Sequence, residues 1–141
     1  IQKIQNLCIR FIYNCKKNSN ESMSKYRKEL GWLSMSERRA SHGLMLMFKI
    51  ASGRAPNYLA DLITFTNEIH QVNTRSSSRN AIWISKDVKL KARRNAFIFT
   101  MSVLFNKLPE NIINAVSAAM FKTKLKKYII ENKLTLPDHF M

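Results

Sequence analysis

Apolar positions along the chain recur mostly at helical spacing. At 100° per residue, Ile4, Leu7, Cys8, Phe11, Ile12 and Cys15 share one face of a helix over about 2–15. Lys3, Arg10 and Lys17 line the opposite side. After a polar loop a short helix follows near 23–30, and Gly31 supplies its left-handed stop. Ser34 and Glu37 have capping-box spacing and open a third helix that runs to about Ser52. Its second half, Leu44 to Ala51, is apolar nearly all round, the mark of a core helix. Gly53 ends it, and Pro56 can open a fourth helix to about Ile63.

Residues 64–80 read as an exposed loop. Ala81 to Ile84 reads as a short strand. Val88, Leu90 and Ala92 alternate with Lys89, Lys91 and Arg93, a two-residue period. A small hairpin over 81–92, turning at Ser85 to Asp87, is the expectation. A fifth helix covers about 94–107, with Phe97, Met101, Leu104, Phe105 and Leu108 in one stripe. Pro109 starts a brief turn or helix, and Ser117 caps a sixth helix to about Glu131. There Phe121, Leu125, Tyr128 and Ile129 face inward and Lys122, Lys126 and Lys127 outward. The fold class expected is therefore mostly α: about six helices in one compact domain over 1–131, a small β-hairpin, and a flexible tail over 132–141.

Composition agrees and adds charge. A chain of 141 residues suits one domain, and 45% apolar residues supply a core. With 3 Gly and 3 Pro, long regular elements are favoured. The net charge of +15, from 24 Lys+Arg against 9 Asp+Glu, points to a polyanionic partner that relieves self-repulsion. Cys8 and Cys15 fall on one expected helix, where seven residues rise about 10.5 Å. That exceeds the roughly 7 Å limit for a disulfide, so both are read as reduced core residues, which suits a cytoplasmic or nuclear setting. No apolar run is long enough to span a bilayer, and no secretory signal is visible. A first residue of Ile1 suggests a piece of a longer protein.

Candidate chemistry is sparse. Cys8, Cys15, His42, His70 and His139 are too scattered for a metal site, and nothing announces a hydrolytic triad. No cofactor and no catalytic residue is assigned. The strongest functional signal is basic. Between 75 and 94 lie Arg75, Arg79, Lys86, Lys89, Lys91, Arg93 and Arg94 against a single Asp87. A loop and hairpin can present them to a phosphate backbone, helped by Ser76, Ser77 and Ser78. The plainer reading is a solvated edge protected by lysine. Trp83 is read as core packing, with base stacking as the alternative. Lys122, Lys126 and Lys127 form a second patch, which also has a plain reading as the wet face of a helix. A basic amphipathic first helix could bind a membrane or a partner groove only if its apolar face were free. The core is expected to consume that face.

Several short motifs occur in a specific order. Ile1-Gln2-Lys3-Ile4-Gln5-Asn6 is followed by Glu29-Leu30-Gly31-Trp32-Leu33 and Glu37-Arg38-Arg39. Gly53-Arg54-Ala55-Pro56-Asn57-Tyr58-Leu59 comes next, then His70, Thr74 and Arg75 in an H-x-x-x-T-R pattern. Asn106-Lys107-Leu108-Pro109 closes the series, ahead of Phe121 to Tyr128. This resembles the C-terminal region of reverse transcriptases of non-LTR, jockey-like retrotransposons, downstream of the polymerase domain. Two positions depart from the family pattern: Val72 stands where an aromatic or other ring residue is frequent, and Phe105 where Trp or Tyr usually precedes Asn-x-Leu-Pro. The Tyr-x-Asp-Asp hairpin that holds catalytic metal in such polymerases is absent; Tyr58-Leu59-Ala60-Asp61 has one acid, and Asp61 is read as a surface residue. The resemblance implies a non-catalytic module of an RNA-directed DNA polymerase, contacting template RNA or target DNA and the remainder of the polyprotein. The alternative it implies is a structural domain that docks on the polymerase thumb and has little nucleic-acid affinity of its own. His70, which opens its pattern, is read as a loop anchor, with ligand contact as the alternative.

Overall fold

The structure is a computed structural model that describes residues 1–16, 22–69, 81–85, 90, 92, 96–132 and 134. Among them are eight helices: α1 (Gln2–Ile12), α2 (Met23–Glu29), α3 (Met35–Ala51), α4 (Asn57–Ala60), α5 (Thr66–Ile69), α6 (Phe97–Asn106), α7 (Glu110–Ile113) and α8 (Ala118–Asn132). The fold is mostly α. The extra helices are single turns, α5 at a place read from sequence as a loop and α7 where a brief turn or helix is expected.

Local chemistry sets the helix ends. Ser34 Oγ accepts from Glu37 N–H at 3.3 Å, and Ser34 N–H donates to Glu37 Oε2 at 2.8 Å, completing the capping box of α3. Gly31 and Gly53 take φ of +61° and +66°. Trp32 N–H reaches back to Arg27 O, and Arg54 N–H to Lys49 O, each at 2.8 Å. Both helices thus end in the Schellman pattern. α1 stops three residues before the expected Cys15. Asn14 adopts φ +50°, and Cys15 N–H bonds to Arg10 O at 2.9 Å. Asn is the non-glycine residue that best tolerates this conformation.

The core is built on α3, which packs against α6 on one side and α8 on another. Ala40, Leu44, Met47 and Phe48 of α3 meet Met101, Leu104 and Phe105 of α6 and Phe121, Leu125 and Ile129 of α8, all buried. Phe48 and Phe121 stack with centroids 4.2 Å apart. Gly43 lets α3 and α6 approach closely, because a Cβ built there would run into the sulfur of Met101. Of the expected α6 stripe, Phe97 departs: it begins the helix and is exposed. Beyond α8, Leu134 packs on the core. The other positions of the expected tail, save 134 and Asn132, which ends α8, lie outside the described residues.

Two expectations are corrected. Ala81 to Ile84 forms no strand among the described residues: Ile82 makes an isolated antiparallel bridge with Phe65, and the turn and most of the second arm of the expected hairpin, 86–89 and 91, lie outside the described residues. Thr66 N–H donates to Ala81 O at 2.9 Å, and Trp83 N–H to Thr64 O at 2.8 Å. Asn106 completes the set, accepting from Ile82 N–H on Oδ1 at 2.9 Å and donating from Nδ2 to Ile82 O at 2.7 Å. With Ile82 buried in the core and its peptide groups met this way, a hairpin partner is not needed. The second correction concerns α1. Its inward residues are Gln5 and Ile9, whereas Ile4, Leu7, Phe11 and Ile12 are 63%, 60%, 89% and 51% exposed. Cys8 is exposed as well, not a core residue, and neither cysteine is in a disulfide. The reason is polar anchoring on the other side. Gln5 Nε2 donates to Leu33 O at 2.8 Å, Met35 N–H donates to Gln2 Oε1 at 2.9 Å, and Arg27 Nη1 donates to Asn6 Oδ1 at 3.1 Å.

Candidate nucleic-acid interface

α8 carries the basic patch whose geometry is described. Ser117 Oγ accepts from Met120 N–H at 3.1 Å and starts the helix where the sequence places it. Burial of Phe121, Leu125 and Ile129 against α3 fixes the helix rotation, so Lys122, Lys126 and Lys127 are turned to solvent. They flank a shallow groove of about 540 Å³ floored by Ala119, Thr123 and Ile130. Four residues along a helix rise about 6 Å, so Lys122 and Lys126 span a stretch comparable to two phosphates of one strand, at about 3.4 Å each.

The fourth lysine of α8 behaves differently. Lys124 Nζ donates to Asn111 O at 2.8 Å and so closes the end of α7. No hydrogen bond or ion pair engages Lys122, Lys126 or Lys127 among the described residues. The outer face of α8 therefore holds three positive charges that form no ion pair among the described residues, although Glu131 lies one turn beyond Lys127. Arg54, another cation, is structural: Nη2 donates to Val116 O at 2.8 Å and its guanidinium lies 6.0 Å from the Phe48 ring centre. Sequence reasoning missed both tethers, since each joins residues remote in helical register. Arg10 is likewise engaged, donating from Nη1 to Lys16 O at 2.9 Å.

Of the other basic candidates, Arg75, Arg79, Lys86, Lys89, Lys91, Arg93 and Arg94 lie outside the described residues, as do His70 and Lys17. The described residues that flank them form a second feature. Trp83 is 43% exposed, which corrects its reading as a core side chain. It lines a cleft of about 220 Å³ with Leu62, Thr64, Ile84, Phe99 and Ser102. Ser85 and Ala96 also belong to its lining. In sequence, Lys86 follows Ser85, and Arg93-Arg94 precede Ala96 by three and two positions. Trp83 sits on a fixed backbone, since Thr64 holds its N–H and Asn106 grips the peptide groups of Ile82 beside it.

Asp61 is an exposed residue capping the end of α4. Among the described residues no three His, Cys, Asp or Glu side chains come together to hold a metal ion, and no helix is long and apolar enough to cross a membrane. No family model, no curated protein and no solved structure matches the chain.

Proposed function

We propose that this chain is a nucleic-acid-binding module without catalytic chemistry of its own. On the resemblance of its motifs, it acts as the C-terminal module of a non-LTR retrotransposon reverse transcriptase and helps hold template RNA or target DNA. The observation that carries the reading is the set of exposed, internally unpaired lysines on one face of α8, in a chain of net charge +15. Phosphates neutralise such a surface and release counterions as they do so. The Trp83 ring adds support. A half-exposed aromatic on a rigid segment offers a stacking face to an unpaired base, and stacking tolerates any sequence. Contacts of both kinds grip the backbone and shape of the nucleic acid and do not read base edges.

A salt titration of RNA and duplex DNA binding tests this. With about six phosphates contacted, log K against log salt has a slope near −5 on duplex DNA. The triple variant Lys122→Ala, Lys126→Ala, Lys127→Ala reduces the magnitude of that slope by about 2–3. Replacing Arg75, Arg79, Lys89, Lys91, Arg93 and Arg94 by Ala flattens the remainder. An unchanged slope and affinity in both variants removes the reading.

A further inference from the structure

The outward face of α1 is the largest feature that nucleic-acid binding leaves unused. Ile4, Leu7 and Phe11 recur at i, i+3 and i+7, with Cys8 and Ile12 alongside. Ile4, Leu7, Phe11 and Ile12 are each more than half exposed and make one contiguous apolar stripe, the kind of surface that marks an interaction site. α1 cannot roll this face inward without breaking the Gln2, Gln5 and Asn6 hydrogen bonds that hold its other side. The patch is also asymmetric in charge. On a helical wheel Lys3 and Arg10 border the Leu7 edge, and no acidic residue occurs from Gln2 to Ile12.

We propose that this face is a docking site for an amphipathic helix of another protein segment, with an apolar stripe and an acidic flank. Spacing at i, i+3 and i+7 is the geometry by which one helix meets another through apolar anchors. Seated there, a partner helix covers the patch, and its rim contacts bring the buried surface toward the roughly 800 Å² per side of a specific interface. Charge selects the sign of the partner. A second copy of this chain would bring together two bodies of net charge +15 and set Lys3 against its equal, whereas an acidic flank meets Lys3 as counter-charge.

The probe is a fluorescein-labelled amphipathic peptide with Leu on its apolar stripe and Glu on both flanks. Its controls are the same composition scrambled to destroy the stripe, and the Lys-flanked version. Each is titrated with the full chain and read by anisotropy. The Glu-flanked peptide is expected to bind at least 10-fold tighter than either control. The double variant Leu7→Ser, Phe11→Ser should abolish that margin while leaving the helical circular dichroism and the RNA affinity unchanged, which separates this result from nucleic-acid binding. Equal binding of the ordered and scrambled Glu peptides overturns the proposal in favour of bare charge attraction. So does concentration-dependent dimerisation in sedimentation equilibrium that the double variant removes. Phe11-dependent flotation with vesicles of phosphatidylglycerol, without peptide selectivity, overturns it in favour of a lipid surface.

Discussion

Asn106 ties the end of α6 to the Ile82 backbone, and its removal tests the account of this part of the fold. Asn106→Ala deletes two hydrogen bonds, of 2.9 and 2.7 Å, to the peptide groups of a residue only 2% exposed. A typical bond contributes about 1 kcal/mol net, and orphaned buried groups raise the loss. The expected total is about 2–4 kcal/mol, a large share of the roughly 5–15 kcal/mol that holds a domain folded. At roughly 3–5 °C per kcal/mol for a chain this size, Tm falls by roughly 6–20 °C. Asn106→Asp sharpens the test. One carboxylate oxygen still accepts from Ile82 N–H, but the other faces the Ile82 carbonyl. Only the protonated acid can donate there, so its pKa in the folded state lies above the roughly 3.9 of the unfolded chain. Linkage then gives the sign. The penalty is smallest below the unfolded pKa and grows as pH rises through the folded one. Urea melts at pH 3.5 and pH 7, followed by circular dichroism, measure both effects. A cost below about 0.5 kcal/mol for Asn106→Ala, or a pH-independent Asn106→Asp penalty, would refute the reasoning.

Two further outcomes follow from packing and titration. Gly43→Ala gains about 1 kcal/mol in helix propensity but forces Met101 out of place, an overpacking cost of about 1–3 kcal/mol; net destabilisation is expected in urea melts, and the same substitution should become stabilising beside Met101→Ala. Tyr13 is pushed above the ordinary tyrosine range by loss of hydration and by its hydrogen bond to Glu29, and its ring lies 4.3 Å from that of Tyr26. Stability from this contact is present below the unfolded pKa and lost as pH rises through the higher folded value. Alkaline difference absorbance should show one tyrosine titrating late in the native protein, and Tyr13→Phe should remove it; an unshifted spectrum would contradict the contact.

Helix boundaries were legible wherever one residue's backbone chemistry decides them. Ser34 with Glu37, Gly31, Gly53 and Ser117 all act where the sequence puts them, because caps and left-handed stops involve atoms within about five residues. The same logic extends to Asn14, whose left-handed conformation ends α1 early; an asparagine after an apolar helix was the available signal. The lysine face of α8 was legible for a related reason, since the buried stripe of Phe121, Leu125 and Ile129 leaves Lys122, Lys126 and Lys127 no other side. The partner of Ile82 was not legible. Alternation marks a segment as extended without naming its neighbour, and Phe65 and Asn106 reach it across long sequence separations.

By itself, then, the chain determined its helical class, most of its helix ends, and its excess of positive charge, because these depend on local backbone preference and on counting. Tertiary structure alone decided which apolar stripe is covered. α1 and α8 carry similar periodic patterns. The stripe of α8 meets α3 and vanishes from solvent, whereas polar side chains of α1 find backbone partners at Leu33 and Met35 and turn its stripe outward. Periodicity fixes that a helix has two faces; only the competition among its contacts fixes which one meets water.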